Sequence, residues 1–413
     1  MGESARVQRF EASSRIIPME GVRGLAVLLV FCVHYSVLFQ FWAIERSATE
    51  RLWSFLEAIG HSGVDLFFVL SGFLIYGTII SKKTPYLTYL ARRVERIYPP
   101  FIVVFAIYLA LSVLFPSENK VPSGASGTLY LIENVLLLPG LLSIPPFIAV
   151  AWSLSYEMFF YICVPMIVLG LGMREWRSRT RLALFGALGI GYALFCTLGI
   201  HPRLQLLMFI SGIFLFEAMR AAQAPADLGT SLRRDVIGTL ALIACFPVAY
   251  VVTRNGWAAS HQPSDAYYYG WFVKVLVQFT LFPIFLFACF RSTSFLSAIF
   301  SGRFIRHLGN MSYSYYLLHG LALKFAAVVL HHFVPAGRNE TVFWIALPLA
   351  FAATWMSSLI LNVVVEQRFS ALARRPKRSL RSESLQQFPT DVIPVERRLI
   401  APPVGLNPAA LRR

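Results

Sequence analysis

Residues 22–41, 101–115 and 182–200 of this 413-residue chain run almost without charge. About 20 consecutive apolar residues is the length at which a helix crosses the hydrocarbon core of a bilayer. Blocks of this kind recur, and the spans read 22–41, 62–80, 98–115, 148–171, 182–200, 204–219, 236–252, 271–290, 311–333 and 342–364. Each must be helical, because lipid offers the backbone no hydrogen-bond partner. The pattern predicts an all-α polytopic transmembrane bundle of about ten spans. A short segment (1–21) precedes the membrane domain (22–365), and a basic, disordered tail (366–413) follows it. Composition agrees: 57% of residues are apolar and 14% charged, against roughly 25% charged in a soluble domain.

The net charge of +16 raises nucleic acid as a partner, but the cations argue against it. They fall in short stretches between apolar blocks, with no separate basic arm interleaved with aromatics. With residue 1 in the cytoplasm, the five inner segments hold 18 Lys and Arg and the outer segments hold six. That bias orients a membrane protein. It predicts both termini in the cytoplasm and a multi-pass location in the cell inner membrane. No small-residue cleavage site follows the first block, so it reads as a retained span. The five cysteines lie inside apolar blocks without a CxxC pair, which points to neither a metal site nor a disulfide framework. The outer segment 253–270 carries Trp257, Tyr267, Tyr268 and Tyr269. These suit an interfacial belt or a platform for sugar rings.

Ionisable groups inside spans are costly and mark function. The first span carries Arg23 and His34, eleven residues and therefore about three turns apart. They share a face and are separated by roughly 16 Å along the axis. Asp65 lies about one turn inside the second span and Glu157 two to three turns inside the fourth, both near the depth of His34. Either carboxylate is placed to orient the imidazole as it acts as a base. Arg93 and Arg96, three apart at the inner mouth of span three, share a helical face. Their guanidinium forks suit phosphate oxygens, although lipid headgroups have the same chemistry. Ser71, Trp152, Ser153, Tyr313 and His319 are candidates to line the same cavity. Gly63, Ser71 and Gly72 permit close helix packing. Lys274 and Lys324 either snorkel or pair inward. His331 and His332 diverge by about 100° around their helix, so they make no metal site.

Four segments then resemble the membrane acyltransferase-3 family, whose members O-acylate cell-surface glycans and related molecules. They are Glu20-Gly-Val-Arg23 through His34, Gly63-Val-Asp65 through Ser71-Gly-Phe73, Arg92-Arg-Val-Glu-Arg-Ile-Tyr-Pro99, and Trp152-Ser-Leu-Ser-Tyr-Glu157. The stretch from Ser312 to His319 looks like the family's late-span motif. Glu20 stands where members often have Asp. The resemblance implies ten spans, an acyl-CoA donor (usually acetyl-CoA) as cosubstrate, no resident cofactor or metal, and a glycan or lipid-linked glycan acceptor. A tail of under fifty residues implies a stand-alone transferase without a fused esterase-like domain. On this reading Arg23, Arg93 and Arg96 take the donor. His34 acts as base or covalent relay, and Asp65 or Glu157 orients it. The alternative is a secondary transporter or flippase of a glycan precursor, which tends to show repeated halves; no repeat is visible here. The sequence sets neither the acceptor nor the oligomeric state.

Overall fold

The computed structural model describes residues 16–198, 204–222, 228–258, 265–291, 293, 295–335, 337 and 339–369. Most of the N-terminal segment, the basic tail beyond residue 369, Arg203 and Arg338 lie outside the described residues. So do the side chains of Arg254, Trp257, Tyr267 and Tyr268. The helices are α1 (Ile17–Phe39), α2 (Ala48–Gly60), α3 (Ser62–Ser81), α4 (Tyr86–Leu114), α5 (Ala125–Val135), α6 (Ala151–Gly170) and α7 (Ser178–Thr197). They continue as α8 (Leu207–Ala221), α9 (Leu228–Ala258), α10 (Asp265–Arg291), α11 (Phe295–Phe300), α12 (Arg303–Asn310), α13 (Ser312–Phe333) and α14 (Glu340–Leu361). Among the described residues, ten helical segments are long and apolar enough to cross a membrane, one for each span read from hydropathy.

The segments between spans are more ordered than hydropathy suggests. Residues 42–61 read as an outer connection, yet 48–60 form α2. Its first turn is capped by the Ser47 hydroxyl, which accepts from the Glu50 amide at 3.1 Å. Only His61 separates α2 from α3. Likewise α4 begins at Tyr86, so Arg92–Arg96 are helical and not part of a loop. The helix continues through Pro99 and Pro100. These prolines lack the amides that would bond the Glu95 and Arg96 carbonyls, and the Tyr313 hydroxyl donates to the neighbouring Ile97 carbonyl at 2.6 Å.

Within the bundle α1, α3 and α8 are central. The buried share of their apolar windows is 61%, 72% and 61%, against 17% for α7. Helices at the periphery turn Ile190, Leu194, Phe325 and Leu349 outward, where lipid replaces protein. Because lipid is as apolar as leucine, helices associate in it by close packing at small residues. The α3–α8 crossing shows this in reciprocal form. A Cβ on Gly72 would stand 2.1 Å from the Phe209 carbonyl oxygen, and one on Gly212 would stand 2.1 Å from that of Val69. Both glycines are required by backbone contact.

Two charges take partners the sequence left undecided. Arg181, counted among the inner cations, is buried and forks onto Glu217 of α8, with Nε to Oε1 at 2.7 Å and Nη2 to Oε2 at 3.1 Å. Tyr76 and Ser178 donate to the same carboxylate. Lys324 pairs at the surface with Glu118 (2.5 Å), which lies outside the spans. That hydrogen bond holds the Glu118 carboxyl below the usual range.

Candidate active site

Arg23 on α1, Arg93 and Arg96 on α4, Ser71 on α3, Glu157 and Tyr161 on α6, and Tyr313 and Tyr316 on α13 line one cavity of about 850 Å³, part of it open to solvent. Among the described residues its charge is lopsided, with three guanidiniums against the single carboxylate of Glu157. The i, i+3 spacing on α4 puts Arg93 and Arg96 on one face. The Arg93 guanidinium lies 5.1 Å from the ring centroids of both Tyr89 and Tyr161. This cation–π clamp fixes the fork without neutralising it. Glu157 accepts from Ser71 Oγ at 3.0 Å and from Tyr161 Oη at 2.6 Å. The carboxylate therefore belongs to the arginine end, and its hydrogen bonds are to neutral hydroxyls.

The far wall is formed by Ser153 and Tyr316, whose hydroxyls share a hydrogen bond of 2.7 Å. Behind it lies a histidine pair. The Tyr316 ring is 5.8 Å from that of His319. His319, fully buried on α13, meets His34 of α1 edge to face with centroids 4.6 Å apart. His319 Nε2 stands 3.3 Å from His34 Nδ1. His34 Nδ1 also lies 3.0 Å from the Val30 carbonyl oxygen. His319 Nδ1 reaches the carbonyls of Tyr315 and Tyr316 at 3.1 and 2.9 Å.

These contacts correct one expectation directly. Asp65 does not hold His34; its carboxylate bonds Lys274 Nζ of α10 at 3.0 Å, with both side chains buried. The ammonium also lies over the Trp271 ring at 4.4 Å. Hydropathy placed Asp65 and His34 at similar depths, but depth says nothing about direction around the helix. His34 faces α13 and Asp65 faces α10. A buried carboxylate needs a counter-charge, and Lys274 supplies it. Glu157 is likewise not beside His34: the hydrogen bonds it makes are to Ser71 and Tyr161.

Of the remaining candidates, Ser71, Ser153 and Tyr313 line the arginine cavity, whereas Trp152 packs against Phe68 and Tyr156. Ser71 also donates to Glu157, while Gly63 and Gly72 sit at close crossings. Tyr269 is exposed. Sequence reading missed Tyr161, and it carried Tyr316 only inside the Ser312–His319 motif without assigning it to the cavity. Both lie four residues after a residue it had singled out or placed in a motif, Glu157 and Ser312, so the helical period alone would have put them on the same faces.

An acyltransferase domain model matches residues 17–363. The chain belongs to the membrane acyltransferase-3 family. The match makes residues 17–363 an acyltransferase domain, built on helices long and apolar enough to cross a membrane. The chain is 32% identical over 156 residues to the acyltransferase MdmB of Streptomyces mycarofaciens, covering 37% of this chain and 39% of that one. It is 25% identical over 277 residues to the exopolysaccharide production protein ExoZ of Rhizobium meliloti, covering 65% and 78%. To the peptidoglycan O-acetyltransferase OatA of Listeria monocytogenes it is 25% identical over 337 residues, covering 74% of this chain and 49% of that one. The chain thus spans well under half of MdmB and about half of OatA. No solved structure matches it.

Proposed function

We propose that this protein moves an acyl group, acetyl by analogy with its O-acetyltransferase relatives, from cytoplasmic acyl-CoA to a hydroxyl of an extracytoplasmic or membrane-linked glycan. The observation that carries this reading is the cavity with three guanidiniums and one carboxylate, whose far wall backs onto the His34–His319 pair. Arg23, Arg93 and Arg96 suit the phosphates of a CoA donor, and charge-assisted forks are the strongest grip a side chain offers such anions. Glu157 holds the hydroxyls of Ser71 and Tyr161, and the Tyr161 ring in turn holds Arg93. The acceptor hydroxyl gives its proton to His34 as its oxygen attacks the thioester carbonyl. Holding the two substrates together provides much of the rest of the rate. The 18-to-6 bias of Lys and Arg supports the arginine end facing the cytoplasm, both termini inside, an inner-membrane location, and a membrane domain over 22–365 followed by a basic tail.

The test is thioester consumption by protein purified into liposomes, followed as release of free thiol from acetyl-CoA. Mass spectrometry of surface glycans from deletion and complemented strains accompanies it. Thiol release that depends on Arg93 and Arg96, with loss of an acetyl increment in the deletion strain, is the expected result. Glycan precursor crossing the liposome membrane without thioester consumption would replace this reading with transport.

A further inference from the structure

The histidine pair contains more information than proximity. A carbonyl oxygen can only accept, so a ring nitrogen bonded to one must carry the proton. His319 Nδ1, facing the carbonyls of Tyr315 and Tyr316, is therefore N–H, which leaves His319 Nε2 as an acceptor. His34 Nδ1 faces the Val30 carbonyl at 3.0 Å and His319 Nε2 at 3.3 Å, both acceptors. It too must be N–H, shared between them. In neutral rings this leaves the lone pair of His34 on Nε2. Among the described residues that atom has no hydrogen-bond partner, and it is not one of the buried unpaired polar atoms.

We propose that His319 is the positioning residue of the transfer reaction, holding His34 in the tautomer whose Nε2 can accept a proton. This rests on the reading of His34 as the base. As the acceptor oxygen bonds to the thioester carbonyl carbon, its proton passes to His34 Nε2. The C–S bond then breaks and the sulfur leaves with that proton as free thiol, returning His34 to its starting state. While His34 is an imidazolium, its Nδ1–H keeps the Val30 carbonyl and the His319 lone pair as acceptors. The role is that of the third member of a catalytic triad, filled by a neutral imidazole whose own proton is committed to its helix backbone. The fully buried setting of His319 on α13 keeps that orientation fixed.

Three side-chain changes and one spectrum test it. His319→Leu removes the acceptor and should lower kcat about 100-fold or more, in the range of general-base contributions, with the KM for acetyl-CoA unchanged. His319→Gln places an amide oxygen near the Nε2 position and should recover about tenfold of that loss, which a packing role would not do. Equal rates for Leu and Gln, or a wild-type rate for Leu, overturn the proposal. Independently of any variant's folding, 15N spectra of histidine-labelled protein should show His34 protonated on Nδ1. Protonation on Nε2 in the resting enzyme overturns it as well. His34→Ala separates the two levels: if it retains turnover, the base assignment itself is wrong, whereas a dead His34→Ala beside an active His319→Leu removes only the role of His319.

Discussion

Asp65→Asn distinguishes a structural carboxylate from a catalytic one. The Asp65–Lys274 pair is 3.0 Å long, and its side chains are 3% and 1% exposed. At that separation, with an effective dielectric constant of about 20, the Coulomb attraction is about 5.5 kcal/mol. Desolvating both ions consumes most of this, so the pair is worth little relative to an apolar pair of the same shape. Removing one partner alone leaves a stranded buried charge and costs about 3–5 kcal/mol. Asp65→Asn should therefore be strongly destabilising because it strands the Lys274 ammonium beside Trp271. The double variant Asp65→Asn/Lys274→Met should recover at least half of the loss. The assay is thermal unfolding in detergent, scored by monodisperse protein remaining, alongside thiol release per folded molecule. The expected result is a stability defect that the double variant repairs, with turnover per folded molecule near wild type. Unchanged stability with lost turnover, unrepaired by the second substitution, would show that Asp65 acts on the chemistry and that the ion pair is incidental.

Other expectations follow from the same contacts. Arg93→Gln or Arg96→Gln removes charge-assisted contacts worth about 1.5–3 kcal/mol each, so the KM for acetyl-CoA should rise at least about tenfold, with Lys restoring only part of it. A change confined to the acceptor KM would contradict the donor assignment. Gly72→Ala, whose new methyl would meet the Phe209 carbonyl oxygen at 2.1 Å, should sharply reduce the yield of folded protein. Gly170→Ala, with nothing within 4 Å, should be silent in the same expression and unfolding assay. For orientation, single cysteines at positions 125 and 260 of a cysteine-free chain should react with an impermeant thiol reagent in intact cells. A cysteine at position 178 should react only after lysis, and its labelling in intact cells would invert the topology.

What could be read from the sequence is set by the solvent. Lipid punishes every unpaired amide and every charge, so the ten spans, their helical form and the depths of Arg23, His34, Asp65 and Glu157 follow from hydropathy and a rise of about 1.5 Å per residue. The i, i+3 spacing of Arg93 and Arg96 likewise needs no fold to define a shared face, and Gly72 announces a close crossing without saying against what. Tertiary structure decided the partners. Depth fixes one coordinate of a side chain, and its direction depends on which helix packs beside it, a long-range choice made where small residues such as Gly72 and Gly212 let backbones meet. Asp65 and His34 share a depth but face α10 and α13, so the carboxylate went to Lys274 and the imidazole went to His319. The tautomer of His34 lies further still from the sequence, because it is set by one carbonyl of its own helix, that of Val30, and by a ring 285 residues away.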